Sequence, residues 1–358
     1  MTDRTAPRTE RIRVGALLPL HHSGRRAVEE IAELERAGLD TAWVPEAYGH
    51  DAVSLLGALA LRTERITLGS AVLSVHSRTP ALLAMTAAGL DALSEGRFVL
   101  GVGASSRGVV EGWHGVPFGR PLARTREIIA ICRAVWRGER VTHDGAEFRL
   151  PSPPAAGQEP VPPLRMPGTA REIPIAVGAL GPANVALAAE LADEWLPAMF
   201  WPERAEKVWG DALRTGLAAR APERGPLGIT ATVAYGTGPD HSLLLDRSRP
   251  GTARYLGAMG TRDRNFYTRL AGRYGYGAEA AEVQRLYIEG QPDRAAAAIP
   301  EELLDGIGLV GDRHRIKDRL QAYRAAGVTT LNVLSLARGR ERRASDIALL
   351  RELLEEIG

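Results

Sequence analysis

Lysine is almost missing from this chain. Of 45 basic residues only Lys207 and Lys317 are lysines, a bias expected of a GC-rich bacterial genome and not of a function. Cysteine is scarcer still. Cys132 stands alone, so no disulfide can close within the chain, and a reducing cytoplasm is the expected location. An excess of one charge is missing too: 45 basic residues face 43 acidic ones, which argues against a nucleic-acid partner. No apolar run approaches the roughly 20 residues that cross a bilayer, so no membrane partner is expected. The polar start, Met1 to Arg13, lacks the apolar core of a signal peptide. Nucleotide fingerprints fail as well. Gly101-Val102-Gly103 is followed by Ser106 where a dinucleotide loop needs its third glycine, and no Gly-Lys-Ser/Thr loop occurs. A metal site is not expected: His21 and His22 are adjacent and point apart, and no histidine pair spaced i, i+4 has a third ligand nearby. Cys132 sits among Ile128, Ile129, Val135 and Trp136 at helical spacing, which makes it a core residue.

What is present is a rhythm. Apolar runs of strand length alternate with stretches of helical period. The strands read as Ile12–Leu18, Thr41–Val44, Ile66–Leu73, Phe98–Val102, Ile173–Val177, Glu194–Ala198, Ile229–Tyr235 and Leu331–Leu334. Helices read as Ala27–Ala37, Pro80–Leu93, Leu122–Trp136 and Val185–Ala192. Such alternation implies parallel strands joined by right-handed crossovers. With 358 residues, 45% of them hydrophobic, the chain can form one (β/α)8 TIM barrel with insertions. A weak repeat supports a ring: Ala37-Gly38-Leu39-Asp40-Thr41-Ala42-Trp43-Val44 resembles Ala326-Gly327-Val328-Thr329-Thr330-Leu331-Asn332-Val333. An open doubly wound sheet satisfies that repeat as well. Residues 1–10 are expected to be a disordered tail and 11–358 a single domain. Pro151–Pro167, with seven prolines, is a surface excursion. Residues from about 237 to 305 carry helical patterns and no convincing strand. They read as a helical insertion after strand seven that partly covers the barrel mouth.

In such barrels ligands sit at the C-terminal ends of the strands. That position holds five of the eight histidines: His21, His22, His50, His76 and His114. It also holds an anion-binding candidate. The apolar run Ile173–Val177 leads into Gly178-Ala179-Leu180-Gly181-Pro182-Ala183-Asn184 and then a helix. Glycines let the backbone approach a ligand, Pro182 suits a first helical turn, and the free amides with the helix dipole attract negative charge.

Several segments resemble a known family. They are Trp43-Val44-Pro45-Glu46-Ala47-Tyr48-Gly49, Thr63-Glu64-Arg65-Ile66-Thr67-Leu68-Gly69-Ser70-Ala71-Val72 and Leu93-Ser94-Glu95-Gly96-Arg97-Phe98. The stretch from Val110 to Phe118 and on through Pro121–Glu127 is more specific, as is Gly181–Glu190; Asn265-Phe266-Tyr267 and Arg273–Tyr276 agree as well. The chain is similar, nearly throughout, to the luciferase-like monooxygenases, and within them to deazaflavin-dependent oxidoreductases of actinobacteria. The resemblance implies a luciferase-like barrel and a coenzyme F420 site at its mouth, with FMN the alternative. It implies a non-proline cis peptide at Ala71–Val72, with Glu46, Ala71, Val72, Ser74, Ala104 and Ser105 around the ring. The turn Gly178, Ala179, Leu180, Gly181, Ala183, Asn184 would hold the phosphate. A homodimer acting on a small-molecule substrate is expected. The family's catalytic pattern departs here, with Ala47 where a relative places His and Ser106 where it places Glu. The proton-handling candidates are then His76, His114, Glu46 and Tyr48. Two other activities fit the same resemblance: a reduced-flavin monooxygenase, and a redox-inactive relative that binds or isomerises its ligand.

Overall fold

The computed structural model describes residues 11–20, 24–261 and 264–357. The expected tail and the turn residues His21, His22 and Ser23 lie outside the described residues. Eight parallel strands form the frame: β1 Arg13–Leu17, β2 Thr41–Val44, β3 Thr67–Ser70, β4 Phe98–Gly103, β5 Ile175–Gly178, β6 Glu194–Leu196, β7 Gly228–Thr237 and β8 Thr330–Ser335. The two copies of the weak repeat flank β1. Gly15 stands in register with Thr41 of β2 on one side and with Asn332 of β8 on the other. The ring closes through β7, which pairs with β6 at Gly228–Glu194 and with β8 from Thr230 to Tyr235. Closure excludes the open sheet and establishes the TIM barrel.

Helices α1 Arg25–Arg36, α2 Ala52–Arg62, α3 Pro80–Leu93, α4 Arg107–Gly112, α5 Pro121–Trp136, α6 Pro182–Leu191 and α7 Pro202–Ala218 follow successive strands. Strand side chains alternate between the lumen and this helical layer. Trp43, fully buried, fills the lumen with Val99 and Ala176, and Leu17, Ala71 and Leu196 pack against them. Gly69 makes this possible, because a side chain there would overlap the Trp43 ring. Lower in the lumen, Arg13 donates to Glu194 (2.8 Å) and to the Thr330 hydroxyl (3.1 Å), while Thr230 donates to Glu194 (2.5 Å). The barrel is therefore a packed plug with its usable opening at the strand ends.

Two of the family-like motifs prove to be scaffold. Glu35 on α1 accepts the amides of Glu64, Arg65 and Ile66 and so fixes the entry to β3. Arg97 donates to the carbonyls of Ala60, Thr63 and Ile66. A third departs from its expected form. Ile66–Leu73 is not one strand: β3 stops at Ser70, the Ala71–Val72 peptide is cis, and Leu73–Ser74 pairs with Val102–Gly103 of β4.

The insertion after β7 is helical, as expected: α8 His241–Ala258, α9 Phe266–Arg273, α10 Gly277–Ile288, α11 Pro292–Ala297 and α12 Glu301–Ile307. It also contains strands that the sequence reading did not find. Gly260–Thr261 pairs antiparallel with Arg264–Asn265, and Leu309–Gly311 extends the sheet beside the end of β7. Aromatic residues pin the insertion to the loop after β6. The Tyr274 hydroxyl donates to the Met199 carbonyl (2.8 Å) and accepts from the Trp201 amide (3.2 Å), and Trp201 stacks on Tyr276. Helices α13 Arg313–Ala325 and α14 Arg340–Glu356 complete the outer layer. Among the described residues no helix is long and apolar enough to cross a membrane.

Candidate active site at the barrel mouth

The mouth is shaped by the way β3 leaves the sheet. The Ser70 hydroxyl accepts from the Gly101 amide (2.9 Å) and donates to the Gly101 carbonyl (2.8 Å), and the Ser70 carbonyl lies where a side chain on Gly101 would be. Just beyond, Val72 occupies the space left by two more glycines. A Cβ on Gly103 would sit 2.6 Å from a Val72 methyl, and one on Gly178 3.1 Å from the other. The Ala71–Val72 peptide thus lies over the ends of β4 and β5, at the lip of the lumen.

Past the bulge comes a tight turn. Ser77 donates from both its amide and its hydroxyl to the Ser74 carbonyl (3.2 and 3.1 Å), and the Ser74 hydroxyl accepts from the His76 amide (3.2 Å). His76 is buried. Its ring stacks on Phe118 (centroids 5.2 Å apart), and Nε2 lies 2.9 Å from the Phe118 carbonyl. A carbonyl only accepts, so Nε2 carries the proton. Nδ1 is closed off from solvent and has no hydrogen-bond partner, with the Ala104 backbone close to the ring. Burial pushes the ring's pKa below the ordinary histidine value, which leaves it neutral near pH 7.

Glu46, at the end of β2, is tied down. Arg78 grips it with both guanidinium nitrogens (2.5 and 2.9 Å), the Ala52 amide donates to it (3.1 Å), and Arg78 also reaches Asp51 (2.9 Å). Hydrogen bonding to Glu46 holds the Arg78 guanidinium charged. Glu46 is thus better placed to orient neighbours than to carry a proton. Tyr48 is exposed beside it, and His114 lies half-buried past α4, its amide bonded to the Val109 carbonyl (3.1 Å). Ser105 takes a left-handed φ of 61°, uncommon for serine, and Ser106 caps α4.

In the turn Gly178–Asn184 the Ala179 amide bonds the Leu196 carbonyl (3.4 Å), and two carbonyls are held inward. The Trp195 indole donates to the Ala179 carbonyl (2.9 Å) and the Trp209 indole to the Leu180 carbonyl (3.0 Å). Gly181 precedes α6 without a side-chain cap, and the first intrahelical bond runs from the Val185 amide to the Gly181 carbonyl. The amides of Ala183 and Asn184 precede it, and space beside Gly181 is open. Free amides at a helix start are the arrangement that suits an anion. Sequence reading missed Arg78, Phe118 and both tryptophans. Arginine is too frequent here to single one out, the tryptophans act on backbone carbonyls and Phe118 acts through its own carbonyl, none of which carries a sequence signal. Among the described residues no three His, Cys, Asp or Glu side chains are grouped to hold a metal.

A closed barrel with a bulged third strand defines a class, and residues 11–330 match it: the chain belongs to the luciferase-like monooxygenase family, whose members include oxidoreductases. It is 38% identical over 345 residues, covering 94% of this chain and 96% of the other, to a Mycobacterium tuberculosis protein provisionally named a coenzyme F420-dependent oxidoreductase. In fold it resembles the coenzyme F420-dependent tetrahydromethanopterin reductase of Methanopyrus kandleri (TM-score 0.78, 19% identity, 95% of this chain and 97% of that one). It also resembles the oxygenating component of a Baeyer–Villiger monooxygenase from Pseudomonas putida, solved with FMN (TM-score 0.64, 18% identity, 96% and 98%).

The Glu46–Arg78 pair yields a prediction. The two side chains are 11% and 14% exposed, so breaking the pair strands a mostly buried charge. Arg78→Leu is expected to cost about 2–3 kcal/mol, below the fully buried range because some solvent remains. Adding Glu46→Leu should restore most of it. Denaturant midpoints read both, and equal losses in the single and double variants would contradict the pairing.

Proposed function

We propose that this enzyme transfers hydride between coenzyme F420 and a small organic substrate at the barrel mouth. The observation that carries the cofactor half is the cradle at Gly178–Asn184, with its amides uncapped, its carbonyls held by Trp195 and Trp209, and open space beside Gly181. Those amides would hold the phosphate. Ala71, Val72, Ser74, Ala104 and Ser105 would border the ring, with Glu46 fixing the β2 side. When bound, a deazaflavin supplies a hydride donor or acceptor that reacts poorly with oxygen. The F420 names of relatives favour it. The FMN-bound structural neighbour supports a second reading, a reduced-flavin monooxygenase using the same cradle.

The chain's own chemistry is proton handling. His76 combines a neutral ring, a fixed Nε2 proton and an unpartnered Nδ1. Nδ1, closed off from solvent, would accept a proton from a substrate hydroxyl once the loop after β4 parts, and return it in the reverse direction. His114 and Tyr48 are its competitors in the surrounding loops. Association of two chains has a surface available. The outer faces of α2 and α3 expose Leu61, Leu82, Met85 and Leu93, an apolar area of the kind that marks an interface. We infer a cytoplasmic homodimer. Light scattering should give twice the chain mass, and Met85→Glu should shift the protein towards monomer; a monomeric parent protein would rule the dimer out.

Two measurements test the site. Gly181→Asp supplies the carboxylate cap that α6 lacks and competes with a phosphate for the same amides. It should leave stability unchanged or raised by a few tenths of a kcal/mol. Affinity for F420, followed by the cofactor's absorption, should fall by roughly tenfold or more. Full affinity in the folded variant would refute the cradle, and binding of FMN alone would move the assignment to the second reading. For proton transfer, His76→Ala should lower single-turnover hydride transfer by roughly 100-fold with cofactor binding intact. Because burial depresses the His76 pKa, substrate oxidation should persist below the ordinary histidine range and fail only as the ring protonates. An active His76→Ala beside an inactive His114→Ala would transfer the role to His114.

A further inference from the structure

The stretch from Val110 to Glu127, singled out in the sequence, contributes nothing directly to the cradle, and the structure shows what it touches. Glu127 on α5 accepts the amides of Ala146 (2.8 Å), Glu147 (3.1 Å) and Phe148 (2.9 Å), and its Oε2 is 3.1 Å from His143 Nε2. These bonds staple a hairpin, His143–Asp144 paired with Arg149–Leu150, to one face of the helix. One turn earlier, Arg124 lies over the Phe148 ring (4.5 Å) and pairs with Glu147 (3.5 Å). Its Nε donates to the Val75 carbonyl (2.8 Å), in the very turn that carries His76. Arg120 completes the arrangement, donating to Glu147 (2.9 Å) and to the Ala146 carbonyl (2.7 Å). The Glu147 side chain, 12% exposed, therefore balances two arginines behind His76.

We propose that Arg124 and Glu147, which lie outside the mouth, are positioning residues for His76: Arg124 holds the Val75–His76 turn in place, and Glu147 neutralises the charge that Arg124 brings there. The proposal rests on His76 as the proton carrier. The groups around the imidazole are few. Phe118 offers its ring and carbonyl, Ala104 its backbone, Ser74 its hydroxyl to the His76 amide, α5 the Arg124 charge and the hairpin the Glu147 charge. Arg78, two residues on, is already matched by Glu46 and Asp51. Of the two charges that remain, Arg124 disfavours a second proton on His76 and Glu147 favours it. The hairpin thereby reaches the mouth through a single guanidinium.

The test is the titration of His76 by NMR in the full-length, cofactor-free protein, with His76→Ala identifying its signal. Glu147→Gln should lower the midpoint and Arg124→Gln should raise it, each by roughly half a pH unit or more. Glu147→Asp, which keeps the charge, should return towards the parent value. Should Arg124→Gln fail to fold, the Glu147→Gln and Glu147→Asp pair decides alone. Midpoints unmoved by Glu147→Gln, or moved the same way by both substitutions, overturn the proposal. Turnover separates it from the reading beneath it. A His76→Ala enzyme of full activity removes the proton role whatever the titrations show. An inactive His76→Ala enzyme with a fixed midpoint in the other variants removes only the coupling.

Discussion

The contact between Ser70 and Gly101 governs the mouth of this barrel. A serine hydroxyl bonded to both the amide and the carbonyl of one glycine lets two strands approach closer than any side chain would allow. The consequences run outward in order. β3 leaves its ladder, Val72 settles over Gly103 and Gly178, and a two-residue strand resumes pairing with β4 one step later. The Ser74–Ser77 turn, with His76 in it, is placed by that resumption. Three glycines in two strands, 101 and 103 of β4 and 178 of β5, answer to one displaced segment.

The site is assembled from parts with different rigidity. Glu46, Arg78 and Asp51 form a charged knot across the ends of β2 and β3. The turn Gly178–Asn184 is held from behind by indoles on β6 and α7, both deep in the core. The insertion after β7 is fixed by aromatic packing through Tyr274, Trp201 and Tyr276, with the ion pairs Arg204–Glu302 and Arg315–Asp305 beside it. The candidate binding groups thus stand on strand ends and buried aromatics, where small displacements are costly.

Much of this was legible in the chain. The apolar runs gave all eight barrel strands to within a few residues, because parallel strands buried on both faces leave continuous apolar signals. The turn at Gly178–Asn184 announced itself through glycine, proline and a following helical period. The break in β3 did not, since Ala71 and Val72 are as apolar as the strand around them and only family resemblance marked them. The hairpin Gly260–Asn265 escaped because each strand has two residues, too short for any period. Arg78 and Arg124 escaped for another reason: forty-three arginines leave no statistical mark on the few that matter, and each is defined by a partner distant in sequence. His76 stood out as a residue type, but its tautomer follows from the carbonyl of Phe118, forty-two residues away, and its neutral state from burial.

The uncapped start of α6 has a consequence for the life of the protein. A serine or aspartate at position 181 would contribute on the order of a few tenths of a kcal/mol over glycine at no structural cost. The chain forgoes it, and on the proposed reading a ligand that fills the cradle would become the missing cap. Its binding would then add to folding stability by mass action, about 2.7 kcal/mol at a hundredfold excess over Kd. Resistance to unfolding and proteolysis would rise and fall with the supply of that ligand, so that the abundance of the protein is tied to the abundance of what it binds.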